Sequence, residues 1–588
     1  MNRMNAIRLL ARESKAIHKY FALAVFFVGI ETLFEVLIPL LMADIIDQGV
    51  VNKDMGVFVS RGLGMLACAL LSLATGLLYA RFAAKSSTKL GQLLRDKQFA
   101  RIQRFSFTNL DRFETSGIVT RMTSDVTVVQ NAITSGLRPL ARGPIMLVLG
   151  LVMSFLINAE LAFVFFFVCP VLALIMVWIV SKVAPQYPRM QSALDTINQV
   201  VQENLIAIRA VKAFVRGDYE LERFDQVNDE VASITRQTFH YALFNTPAFQ
   251  LCMYTTIVVL MVTGSRLILE GRLEVGQLTG ILSYVLQILN SFVMLSNVFL
   301  LMTRSMASVR RIEEVLLEPL AAQSENPVTT MPDSTIVFDH VDFKYAAAGR
   351  KNVLENIDLT IEPGTTLGVL GGTGSGKSSF VSLIPRLYDV SAGALTIGGV
   401  DVKNYDLAFL RDQVGVVLQN NVLFSGTILE NLRWGDENAS MEDIERVCRI
   451  ACVDEFLDRL PEGLDTRLDQ GGTNVSGGQK QRLCIARALL KKPRILIFDD
   501  STSAVDTHTD AKIRKGLASM EGLTQIIIAQ RVQSVEHCDQ IIVLDDGQIV
   551  ARGRHDELLS GSAVYREIYE TQKKRRQKPW LSTVVRGI

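Results

Sequence analysis

Up to about residue 305, long apolar runs alternate with charged connectors. The runs cover residues 20–46, 57–83, 139–158, 161–183, 241–268 and 275–302. Each is long enough to cross an apolar bilayer core about 30 Å thick, which takes ~20 helical residues. The pattern predicts six transmembrane helices. Pro39, Pro170 and Pro247 fall inside these runs, where proline is tolerated because neighbouring helices re-satisfy the freed backbone groups. The connector at 158–161 is barely a turn. Those at 84–138 and 181–240 are long and basic, with Lys85, Arg95 and Arg101 in the first and Lys182, Arg209 and Arg216 in the second. Residues 205–215 carry an amphipathic helical pattern, so the spans are expected to continue as helices well beyond the membrane.

Beyond residue 318 the pattern changes. Residues 321–333 form a polar linker with Pro327 and Pro332. Short β-branched runs follow at 336–338, 366–370, 414–418, 495–498, 525–529 and 540–544, separated by helix-like segments. This alternation predicts a soluble α/β domain with a mostly parallel sheet. The expected organisation is a basic N-terminal segment at 1–19 and an α-helical transmembrane domain at 20–320. An α/β domain at 321–572 and a basic tail at 573–588 follow.

Composition agrees with membrane spans. Of the 588 residues, 49% are apolar, and the mean hydropathy of +0.26 is high for a soluble chain of this length. The net charge is +1, and no broad basic surface suggests nucleic acid. The first nineteen residues carry Arg3, Arg8, Arg12, Lys15 and Lys19 against Glu13. With an even number of spans, the positive-inside rule then places both termini in the cytosol. The apolar run behind them is too long for the core of a cleaved signal peptide, so it is expected to remain as the first span of a cytoplasmic (inner) membrane protein. Lys573, Lys574, Arg575, Arg576 and Lys578 read as a solvated tail or a contact for anionic lipid. Seven cysteines are scattered; Cys448 and Cys452 sit four apart, on one face of an expected helix. No second pair follows at zinc spacing, which makes them core residues.

Candidate chemistry lies in the second half. Gly371-Gly372-Thr373-Gly374-Ser375-Gly376-Lys377-Ser378 matches G-x-x-x-x-G-K-[ST], after a strand and before a helix that begins near Ser379. Such a loop wraps phosphates with backbone N–H groups; its lysine reaches the terminal phosphates and its serine hydroxyl ligates Mg²⁺. Asp499 ends the apolar strand 495–498, where an Mg²⁺-side acid is expected, and Asp500 stands where a base orients an attacking water. Ser476, Gly477, Gly478 and Gln479 open a helix with a hydroxyl and free N–H groups, suited to a second phosphate contact.

S-G-G-Q before Q-R, a phosphate loop upstream and D-D-S-T-S-A-V-D downstream resemble the ATP-binding cassette (ABC) family. Six spans ahead of one cassette resemble an ABC exporter half-transporter. The resemblance implies ATP and Mg²⁺ as cofactors and Tyr345 stacking on adenine. It makes Gln419 a second Mg²⁺ contact, Ser476–Gln479 the signature, and Asp506 the acid of a loop that crosses to the other cassette. Each ATP is then shared between one cassette's phosphate loop and its mate's signature. Coupling helices are expected at 112–119 and 215–224.

Three positions depart from the family pattern. Asp500 replaces the usual glutamate, Gln530 replaces histidine, and Gln470 stands where glutamate is common before the signature. Asp500 loses one methylene of reach, and an amide cannot take up a proton. Both changes strike one ATP site, while the signature serving the other site is intact. The expectation is a heterodimer in which this chain's own site hydrolyses weakly and a second half-transporter supplies glutamate and histidine. The alternatives are a slow homodimer, or an ATP-gated channel or regulatory protein that does not pump. A soluble phosphoryl-transfer enzyme is disfavoured by the spans and signature. Hydrophobic drugs or lipid-like molecules are the default cargo. Glu31 and Glu35, four apart in the first span, read either as a site for cationic amphiphiles or as a structural pair bonded to a neighbouring helix. Gln287, Asn290 and Ser291 in the last span line a pathway or pack against a neighbouring helix.

Overall fold

The computed structural model describes residues 17–183, 185–321, 323–345, 351–500 and 505–577. The basic segments expected at 1–19 and 573–588 fall mostly outside these ranges. The described chain divides into two compact units. One runs to Arg104 and from Glu114 to Glu318; the other joins Phe105–Phe113 to the chain from Pro319 onward.

The first unit is helical. Among the described residues, six helices are long and apolar enough to cross a membrane: His18–Val51, Met55–Ile102, Thr115–Ile157, Ala159–Val183, Thr246–Leu269 and Val275–Phe299. The Met55–Ile102 helix, with 48 residues, is about 72 Å long at 1.5 Å per residue. The last span likewise continues unbroken to Leu317. The amphipathic stretch at 205–215 is broken where a continuous helix was expected. One helix ends at Ile206, a short one covers Ile208–Ala213, and Val215 turns the chain with φ of 54°. No separate helix forms at 215–224, because Gly217–Leu243 is already one long helix. The first expected coupling segment is two short helices, Phe107–Arg112 and Thr115–Thr120.

Charges inside this unit are paired between spans. Glu31 bonds Arg138, and Glu35 meets Arg142 at 2.5 Å. Two carboxylates one turn apart on the first span thus face two guanidinium groups one turn apart on the third. Each carboxylate meets a guanidinium group of a neighbouring span, as the structural-pair reading of Glu31 and Glu35 expects. Glu31 is 2% exposed, and Gly76 opposite leaves room for it: a Cβ there would sit 3.1 Å from its carboxylate. Removing one partner of such a pair strands a buried charge. Arg138→Ala is therefore expected to destabilise the protein by about 3 kcal/mol, read as an earlier thermal unfolding of the detergent-purified chain. Glu31→Gln with Arg138→Met is expected to recover most of that loss. At the far end of the first span, Asp47 caps the last one, accepting from the N–H groups of Gly276 (2.6 Å) and Gln277 (3.0 Å).

The second unit holds two main sheets. Its strands are β1 (Ile336–Phe343), β2 (Leu354–Ile361), β3 (Thr366–Gly371), β4 (Ala392–Ile397), β5 (Val400–Asp401) and β6 (Val414–Val417). After these come β7 (Gly426–Thr427), β8 (Arg467–Leu468), β9 (Ile495–Asp499), β10 (Thr524–Ala529), β11 (Gln540–Asp545) and β12 (Gln548–Gly553). The six-stranded sheet has the order β12-β11-β3-β10-β9-β6 and is parallel except for β12. β1 leaves the parallel set expected for it and centres an antiparallel sheet, β2-β1-β4-β5. Strands β9 and β10 are buried along their whole length. Ile495 and Ile497 face one apolar core while Leu496 and Phe498 face the other, which explains runs without polar alternation. Cys448 lies in the Met441–Ile450 helix, but Cys452 falls beyond its end at φ of 55°, so the two do not share a helix face; both are buried.

Candidate nucleotide site

The parallel sheet brings the phosphate loop and the two acids together at the C-terminal ends of β3 and β9. β3 ends at Gly371 and the helix Lys377–Leu383 begins six residues later. Gly376 makes the turn at φ of 95°; a Cβ there would strike Leu354 and the Val353 carbonyl oxygen. Lys377 Nζ donates to the carbonyl oxygens of Gly371 (2.9 Å) and Gly372 (2.6 Å). β9 pairs with β10 so that Asp499 lies beside Ile528. The Ser378 hydroxyl donates to Asp499 Oδ1 at 3.0 Å.

Asp500 follows in the left-handed region, φ of 47°, and donates its N–H to the Ile528 carbonyl at 3.2 Å. Aspartate is among the residues that tolerate this conformation. The Gln530 amide donates to Asp500 Oδ2 at 3.0 Å. Burial raises the pKa of Asp499, against a hydrogen bond from Ser378, and raises that of Asp500, against the pull of Lys377. Burial also lowers that of Lys377, opposed by Asp500 and Asp499.

These groups line a cavity of 260 Å³. Its walls include Thr373, Gly374, Gly376, Lys377, Ser378, Ser379, Gln419, Asp499, Asp500 and Gln530, all singled out from sequence, together with Val353 and Ile528, which were not. Gly371, Gly372 and Ser375 belong to the loop without lining the cavity; the Ser375 hydroxyl donates to the Gly372 carbonyl at 3.0 Å. A serine hydroxyl, a carboxylate and a nearby amide oxygen make the hard oxygen set that suits Mg²⁺.

Tyr345 stands near the loop, its hydroxyl 2.8 Å from that of Ser379. Tyr388, which sequence reading missed, packs edge-on to Tyr345 with ring centres 5.1 Å apart. It also meets Phe107 edge-on and donates to Asp111 Oδ2 at 2.8 Å. Burial, then this hydrogen bond, raise the pKa of its hydroxyl. The only sequence signal for Tyr388 was an aromatic shortly after the phosphate-loop helix.

The signature does not line the cavity. Ser476 caps the helix Gly477–Leu490 in a capping box: its hydroxyl accepts from Gln479 N–H at 3.3 Å, and Gln479 Oε1 accepts from Ser476 N–H at 2.9 Å. Gln470 is exposed. Asp506 caps the next helix, accepting from the N–H groups of His508 and Thr509 and from the Thr509 hydroxyl.

Six apolar spans followed by a phosphate-loop domain with a capped S-G-G-Q helix define an ATP-driven membrane transporter. The family model for the ABC transporter transmembrane region matches residues 21–292, and that for the ABC transporter cassette matches 354–503. The chain belongs to the ABC transporter family, with both parts fused in one polypeptide. It is 39% identical over 542 residues to YfiB, an uncharacterized ABC transporter ATP-binding protein of Bacillus subtilis, covering 92% of this chain and 94% of that one. It is 30% identical to an ATP-dependent lipid A-core flippase of Desulfotalea psychrophila, covering 90% and 93%. A solved bacterial Atm1-family ABC exporter with ATP bound shares the fold, with a TM-score of 0.82 at 23% identity over 95% of this chain and 99% of that chain. The protein is thus a multi-pass membrane protein with a cytosolic cassette that binds and hydrolyses ATP.

Proposed function

We propose that this chain is the subunit carrying the degenerate ATP site of a heterodimeric exporter in the cytoplasmic membrane, with both termini cytosolic. The observation that carries the reading is the hydrogen bond from Gln530 to Asp500 within the cavity. A water-activating carboxylate must reach to within about 2.6–3.2 Å of the water, beside a group that can exchange a proton. Here the carboxylate is about 1.5 Å shorter in reach than glutamate, by one C–C bond, and one of its oxygens accepts from an amide that carries no transferable proton.

In this reading Lys377 and the loop N–H groups from Gly371 to Ser379 hold the ATP phosphates, and Tyr345 stacks on the adenine. Ser378, Gln419 and Asp499 would hold Mg²⁺, which supplies charge neutralisation on the phosphates. A partner half-transporter with intact glutamate and histidine performs the fast hydrolysis, and Ser476–Gln479 of this chain complete its site. Closure of the two cassettes on ATP then switches the spans between inward and outward access. The cargo is hydrophobic or lipid-like, which the resemblance to a lipid A-core flippase supports.

The test is ATP turnover by the chain purified alone and after co-expression with its partner. Little hydrolysis alone and brisk hydrolysis in the pair are expected. Brisk turnover by the chain alone would favour a homodimer, and two feeble cassettes in the pair a switch that does not pump.

A further inference from the structure

The last described helix, Ala563–Gln577, belongs to the second unit. Tyr565, Ile568 and Tyr569 sit at helical spacing and pack against the core that contains Val532 and Val535. Tyr565 is fully buried, its hydroxyl 2.7 Å from His555 Nδ1. The next position on the same face is Gln572, a polar residue where the stripe calls for an apolar one.

Its side chain explains the exception. β10 leaves its ladder at Ala529, whose partner is Leu370 of β3. Gln530 is therefore the first residue held by no strand pairing, and Val532 opens a single 3₁₀ turn, Val532–Ser534. The Gln530 carbonyl and the Val532 N–H are backbone groups stranded between these two elements. Gln572 serves both: its Nε2 donates to the Gln530 carbonyl at 2.8 Å, and its Oε1 accepts from Val532 N–H at 2.9 Å. One side-chain amide thus does what a neighbouring strand would do. A carboxamide carries a donor and an acceptor on adjacent atoms, which suits it to this pair of backbone groups. The Gln530 side chain, held from behind, reaches Asp500 in the cavity.

We propose that Gln572 is a positioning residue for the nucleotide site, fixing the backbone of Gln530 so that its amide stays at the phosphate end of the cavity. The C-terminal helix is thereby part of the ATP site, although it contributes no atom to the cavity wall. The inference rests on the reading of Gln530 as a nucleotide-facing group.

The experiment is binding of trinitrophenyl-ATP to the full-length chain as a double-mutant cycle of Gln572→Leu and Gln530→Ala. Loss of a pair of hydrogen bonds that hold a site group is expected to weaken binding about fivefold. In the Gln530→Ala background, Gln572→Leu is expected to add nothing, because it acts through Gln530. Gln572→Glu, which keeps the acceptor and loses the donor, is expected to fall between. Amide exchange at Val532 reads the bond itself and should quicken in Gln572→Leu. Equal weakening in both backgrounds would mean that Gln572 serves the fold alone, and unchanged affinity in Gln572→Leu beside weakened Gln530→Ala would likewise overturn the inference. Unchanged affinity in Gln530→Ala would overturn the site reading itself.

Discussion

Gly477→Asp is expected to lower ATP turnover by the co-expressed pair about 100-fold, the loss typical when donors to a phosphoryl group are removed, whereas Asp500→Ala in the same pair should cost no more than about threefold. The contrast follows from what each residue serves. Gly477 and Gly478 occupy the first turn of a helix whose capping box already uses the N–H groups of Ser476 and Gln479. The N–H groups of the glycines remain at a helix start, with no intrahelical partner and with the positive end of the dipole behind them. They suit a phosphate brought by the other cassette. An aspartate there is acceptable to the helix, since acids are favoured in a first turn, so folding is preserved. Its charge, however, repels the phosphate. In the proposed heterodimer Asp500 serves the other site, where its carboxylate is already engaged by Gln530. The check is steady-state phosphate release by the two variant pairs, with expression and thermal unfolding as controls. Equal losses would remove the specialisation of the two sites.

Much of the architecture was legible because it is written locally. A span is a length of apolar chain, and a strand buried on both faces is a short apolar run, as in β9 and β10. Of the strands that went unread, β2, β4 and β12 are half-exposed and interrupted by polar residues, and β5, β7 and β8 are only two residues long. The phosphate loop was legible because its glycines and lysine are contiguous. The contacts that escaped join residues far apart in the chain. Tyr388 meets Asp111 across 277 positions, Arg138 meets Glu31 across 107, and Gln572 meets Gln530 across 42. Nothing in the local pattern announces such partners. The break at 206–208 was also hidden, because amphipathic spacing runs on through it while the backbone does not.

Rebuilding the water-activating pair has the second large expected effect. Asp500→Glu returns about 1.5 Å of reach to the carboxylate, and Gln530→His returns a group able to exchange a proton. A positioned base is worth about 10²–10⁴ in rate. The left-handed backbone at position 500 (φ of 47°) is less comfortable for glutamate than for aspartate, which puts the expected gain near the lower end, about 100-fold. The purified chain can be assayed alone, because its own Ser476–Gln479 are intact and can serve a second copy. The measurement that reaches the central claim most directly is therefore ATP hydrolysis by the lone chain, unaltered and carrying both substitutions, with Lys377→Ala as the blank. Hydrolysis near the blank for the unaltered chain and far above it for the rebuilt one is the expected result. An unaltered chain that already turns over as fast as the rebuilt one would show that Asp500 and Gln530 suffice for the chemistry, contradicting the account.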